Sequence, residues 1–146
     1  MTVHLVKLCV GASSIADLED WIAERQAERA RLGLPAEQVH TTRMSPRRRD
    51  SLLAGGSLYW VIRGLIQCRQ RLKDIRSVVG DDGIERCALV LEPRVVPVVP
   101  RPRAPFQGWR YLAASEAPAD LDADASADAA DMPDDMRREL AALGLL

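Results

Sequence analysis

The sequence predicts an α+β fold: an antiparallel sheet able to close in a barrel-like way, one long N-terminal helix and one short C-terminal helix. Three observations lead there. Runs of β-branched and apolar residues of strand length recur between residues 3 and 112. Only one long stretch carries helix punctuation at both ends, and the composition collapses into Ala and Asp after residue 115.

Taken in order, "VHLVKLCV" (3–10) is apolar enough for a strand covered on both sides. "GASSIADLEDWIAERQAERARLG" follows as the long helix. Ser14 is placed to cap it with Asp17 three residues on, Ile15, Leu18 and Ile22 form its apolar stripe, and Trp21 flanks that stripe. Gly33 and Pro35 stop it. "QVHTTRM" reads as a second strand and "SPRRRDSLLAGG" as a basic turn or short helix ending in two glycines.

Residues 57–79, "SLYWVIRGLIQCRQRLKDIRSVV", fit two templates. As a helix, Val61, Leu65, Cys68, Leu72, Ile75 and Val79 make a seam. As a strand, Leu58, Trp60, Ile62, Ile66 and Cys68 face one way, and Tyr59, Arg63, Gln67, Arg69 and Arg71 the other. The strand is preferred. Gly64 costs a helix interior about 1 kcal/mol but suits a bend or bulge, and "DDG" at 81–83 before "IERCALVLEP" punctuates a hairpin.

"RVVPVVPRPRAP" must be an edge or an extended surface segment, because proline has no N–H for a central ladder. "FQGWRYL" is a short strand whose alternation puts Trp109 and Tyr111 on one face and Arg110 on the other. The expected organisation is a globular domain over 1–115, a disordered acidic linker over 116–131 and a short amphipathic helix over 132–146. Met136, Leu140 and Leu143 share one face of that last helix, which is too short to stand alone and would dock on its own domain or on a protein partner.

The net charge of −1 conceals a division. Residues 40–112 hold 14 Lys and Arg against 6 Asp and Glu, a net +8, while 116–135 hold eight acids and no base. No apolar run is long enough for a membrane span, and His4 and Lys7 interrupt the N-terminal apolar stretch, which argues against a signal peptide. Cys9, Cys68 and Cys87 have no paired spacing and read as reduced thiols, which points to the cytoplasm. His4, His40 and these cysteines lack metal-ligand spacing, so neither metal nor cofactor is expected.

Five of the six aromatic residues, Tyr59, Trp60, Phe106, Trp109 and Tyr111, lie in the basic segment beside arginines. Rings stack on bases and guanidinium groups contact phosphates, so the candidate nucleic-acid-binding set is Arg43, Arg47, Arg48, Tyr59, Arg63, Arg69, Arg71, Arg101, Arg103, Trp109, Arg110 and Tyr111. The plainer alternative makes the rings core and the arginines a solvated rim. No nucleophilic triad or phosphate loop is marked, and no catalytic residue is assigned.

The strings "HLVKLCVG", "TRMSPRR", "GGSLYWVIRG", "CRQRL", "CALVLEP" and "PFQGWRYL", in that order, resemble domain-of-unknown-function family 1489, a family of uncharacterised bacterial proteins, over about residues 1–121. Arg63 stands where that pattern commonly has lysine, and the acidic linker looks like a local elaboration. The resemblance implies no activity or catalytic residue. "LLAGGSLYWVIRG" also resembles the glycine corner and central strand of PUA-like and ASCH-like barrels, which implies a small β-rich module often found on RNA. The expected function is therefore a cytoplasmic, non-catalytic module that binds single-stranded or structured RNA. The alternatives are a small phosphate- or nucleotide-handling enzyme using His40 with Arg43 and Arg63, and a protein–protein adaptor working through the terminal helix.

Overall fold

The computed structural model describes residues 2–121, which form a mixed α+β fold of one seven-stranded sheet and two α-helices. In chain order these are β1 (Val3–Leu8), α1 (Ile15–Arg31), β2 (Gln38–Thr42), α2 (Arg49–Leu53), β3 (Ser57–Ile62), β4 (Leu65–Val79), β5 (Glu85–Leu91), β6 (Val96–Pro102) and β7 (Trp109–Ala113). The terminal helix expected over 132–146, and all but the first six residues of the acidic linker, lie outside the described residues.

Local chemistry explains most boundaries. The Asp17 N–H donates to Ser14 Oγ at 3.0 Å, which caps α1, and the chain leaves it at Leu32 and Gly33, the latter at φ +71°. At 17 residues α1 is a short helix of under five turns rather than the long one expected. Residues 57–79 are strand, but the chain does not run through Gly64 on a bend or bulge. Arg63 (φ +51°) and Gly64 (φ +78°) form a two-residue turn, so β3 and β4 are the arms of a hairpin. The reversal alters the expected parity, and Ile66 packs on the face opposite Trp60.

The strand order is β2-β5-β4-β3-β1-β7, with β6 on β4. Two expectations about this sheet are corrected. Strands β1 and β3 are parallel, Leu5 against Leu58 and Lys7 against Trp60, so the sheet is mixed. The sheet is also open rather than a PUA-like barrel, because no pairing joins β2 to β7 among the described residues. The parallel pair follows from the connection: α1, β2 and α2 intervene between β1 and β3, ample chain for a crossover.

Each face of the sheet carries its own apolar cluster. On the helical face, α1 and α2 bury Ile15, Leu18, Ile22 and Leu52 against Leu5, Leu58, Trp60, Leu89 and Trp109. On the opposite face Val6, Tyr59, Val61, Ile66, Val98 and Leu112 pack beneath Phe106 and Ala117. Residues 119–121 stay attached to β6 past the expected boundary at 115. Asp120 bridges to Val98, the Val99 N–H donates to the Ala119 carbonyl, and the Leu121 N–H donates to that of Pro97. Among the described residues no helix is long and apolar enough to cross a membrane.

Candidate nucleic-acid interface and adjoining cavity

The register of three neighbouring strands sets out the helical face. Lys7 on β1 stands between Trp60 on β3 and Trp109 on β7, and Leu5 stands between Leu58 and Tyr111. Residues 43–48, leading from β2 towards α2, lean on this face. Trp109 Nε1 donates to the Met44 carbonyl at 2.8 Å, and the Arg47 and Arg48 N–H groups both donate to the Tyr111 hydroxyl, at 2.8 and 3.2 Å. The Tyr111 ring meets Trp109 edge-on with centroids 4.9 Å apart, and the Arg48 guanidinium lies 5.7 Å from the Tyr111 ring centre. That separation is within cation–π range. Tyr111 is 36% exposed, while Trp109 is only 7% exposed.

The expected binding set does not converge. Arg43, Arg47 and Arg48 are exposed in or beside the segment touching Tyr111. On the opposite face lie Tyr59, Arg69, Arg71, Arg101 and Arg110. Arg63 occupies the hairpin tip, next to Arg103, whose N–H donates to the Gly64 carbonyl. Arg103 and Arg110 flank Phe106, at 5.2 and 5.4 Å from its ring centre.

Three members of that set are occupied elsewhere. Tyr59, expected on a wet face, is 4% exposed because a second core covers that side, and burial raises its hydroxyl's pKa. Trp109 is likewise core. Arg69 is held by Asp120, Nε to Oδ1 at 2.8 Å and Nη2 to Oδ2 at 2.7 Å, and also donates to Ser57 Oγ. This fork holds the Asp120 carboxyl below its usual range. An acid from the segment expected to be solvated thus sits on a cation expected to meet phosphate.

Beyond Lys7, where β1 ends and α1 begins, a cavity of about 200 Å³ is lined by Lys7, Cys9, Ala12, Trp21, His40 and Trp60 among others. Trp60 floors it in a fixed orientation, its Nε1 donating to the buried Gln70 Oε1 at 2.9 Å. His40 meets Trp60 edge-on at 5.2 Å. Its Nε2 is buried without a hydrogen-bond partner, and burial, helped by Lys7 and Arg25, depresses its pKa to about 4. The imidazole is therefore neutral at pH 7. The Cys9 thiol is pushed by burial up to about 11, so it is protonated at neutral pH. Among the described residues no cluster of three His, Cys, Asp or Glu is placed to hold a metal ion.

Sequence reasoning missed Lys7 and Trp21. Lys7 is the lone cation of "VHLVKLCV" at a parity that faces the helices, a detectable signal. Trp21 lies off the stripe of Ile15, Leu18 and Ile22 and is 40% exposed, with the Arg25 guanidinium 4.1 Å from its ring centre.

A family model described as protein of unknown function (DUF1489) matches residues 5–146. The chain belongs to that family. The DUF1489 match reaches the last residue, so the similarity extends beyond the expected limit near residue 121. No curated protein and no solved structure matches the chain.

Proposed function

We propose that this DUF1489 protein is a nucleic-acid-binding module that takes single-stranded RNA on the helical face of its sheet, across Tyr111 and the 43–48 segment. One observation carries the reading: Tyr111 is an exposed ring locked through its hydroxyl between two backbone N–H groups, with Arg48 against it. A fixed, solvent-facing ring beside a guanidinium is the unit from which sequence-tolerant single-strand sites are built, each stack contributing about 1–3 kcal/mol. Arg43 and Arg47 flank it from the same segment, and Lys7 lies one strand away on that face. The proposed set is thus smaller than the sequence suggested, and Arg69 stays with Asp120.

Four such cations correspond to a log–log salt slope of about −3 on single strands. The test is a titration of a labelled RNA ten-mer between 50 and 200 mM salt, against single-stranded DNA and duplex RNA. The double variant Arg47→Gln with Arg48→Gln keeps both backbone donors to Tyr111 and should flatten the slope by about 1.4. An RNA affinity unchanged in that variant, or no RNA binding at 50 mM salt, would sink the proposal.

A further inference from the structure

We infer that the cavity between α1 and β1 is a nucleobase pocket, holding one unstacked base of the bound strand with its phosphate towards Lys7; this deepens the RNA reading above and rests on it. Size is the first argument. An apolar cavity of about 150 Å³ accepts a benzene ring. At about 200 Å³ this one suits a flat heterocycle and is too small for a folded peptide segment or a lipid chain.

The walls supply the second argument. Trp60 and His40 form one aromatic corner, and Trp21 stands at the mouth with its ring partly in solvent. A 40% exposed indole beside an apolar cavity is a stacking surface left open, and Arg25 against it adds positive charge at the rim. The indole of Trp60 cannot swing to fill the space, because Gln70 anchors its N–H.

Polarity supplies the third. A purely greasy ligand would leave His40 Nε2 as it is, buried and unpaired. A base edge presents N–H donors and carbonyl or ring-nitrogen acceptors in its plane, and neutral imidazole can complement either through its choice of tautomer. The lining holds one cation, Lys7, which provides the charge for a phosphate oxygen, and one carboxylate, Asp17, whose Oδ2 is already taken by the Ser13 N–H and hydroxyl. Along the face the order is then pocket, Lys7, Trp109, Tyr111, so that one nucleotide inserts while its neighbour stacks outside.

The test uses adenosine 5′-monophosphate, uridine 5′-monophosphate and, as a base-free control, ribose 5-phosphate. Binding to the full chain is read by tryptophan fluorescence and by the His40 imidazole resonances. Either mononucleotide should quench the fluorescence and shift His40, whereas ribose 5-phosphate should do neither. Ala12→Phe, which fills the cavity without removing a contact, should weaken mononucleotide binding at least ten-fold. Trp21→Ala changes an exposed side chain, leaves the core intact and should weaken binding about five-fold. Ribose 5-phosphate binding as well as the mononucleotides, or mononucleotide binding indifferent to both variants, overturns the pocket. RNA ten-mer binding with no mononucleotide binding and no effect of Ala12→Phe overturns the pocket and leaves the RNA reading standing. Mononucleotide binding that both variants weaken, without RNA binding, upholds the pocket and overturns the RNA reading instead.

Discussion

The bond between Trp60 and Gln70 fixes the floor of the cavity, and its worth can be measured with a double-mutant cycle. Gln70 is fully buried and Trp60 is 4% exposed. Gln70 Oε1 accepts from the indole at 2.9 Å, and its Nε2 donates to the Glu92 carbonyl at 2.9 Å. Gln70→Leu strands a buried indole N–H and a half-buried carbonyl, which costs about 2–4 kcal/mol. Trp60→Phe strands Gln70 Oε1 and leaves a void where the larger ring stood, at about 3 kcal/mol. In the double variant each change removes the partner the other had orphaned. Its loss should therefore fall short of the sum by about 1–2 kcal/mol. Urea unfolding followed by far-ultraviolet circular dichroism gives the four free energies. Losses that add to within about 0.5 kcal/mol would refute the idea that the two groups depend on each other.

Other consequences are open to simple measurements. The folded-state pKa of His40, about 4, lies below its unfolded value of 6.5, so its contribution to stability is complete above pH 6.5 and is lost as pH falls towards 4. His40→Gln should flatten the stability–pH curve in that window by up to about 3 kcal/mol. The lowered pKa of His4, which comes from burial and then Arg69, keeps a smaller slope of the same sign. Asp120→Asn should cost about 0.5–1 kcal/mol at pH 7, because the pair is partly exposed, and progressively less as pH falls from the normal carboxylate range through the lowered value of the folded state. Urea midpoints followed from about pH 7 down to about pH 2 should show the difference between the two proteins shrinking only in the acid part of that range. At Gly56 an added Cβ would fall 2.3 Å from the Leu52 carbonyl oxygen and 2.5 Å from that of Val3, both backbone atoms. Gly56→Ala should thus destabilise by about 2–3 kcal/mol, visible as a lower urea midpoint.

What could be read in the sequence was whatever depends on neighbours along the chain. The α1 cap at Ser14, the strand character of 57–79 and the shared face of Trp109 and Tyr111 all rest on local spacing. The Arg63–Gly64 turn escaped because arginine, unlike asparagine or aspartate, is a poor signal for a left-handed turn position. Tyr59 and Trp109 were expected to face a ligand because alternation assumes one wet side, and here each side has a core. The parallel pairing of β1 with β3 joins residues more than fifty positions apart, and no local pattern announces it. Local spacing likewise places His40 on a strand and Trp21 on a helix, but only the folded chain brings them to one cavity.

Residues 119–121 act as a selvedge on the sheet. Without them the outer side of β6 would present the Val99 amide and the Pro97 carbonyl to solvent, a template for the strand of another molecule. The composition changes at residue 116, yet among the described residues the bond to the sheet furthest along the chain is made by Leu121. A chain cut where the amino acids become acidic would therefore carry an unhemmed strand and is expected to self-associate, whereas one cut after Leu121 keeps its border closed.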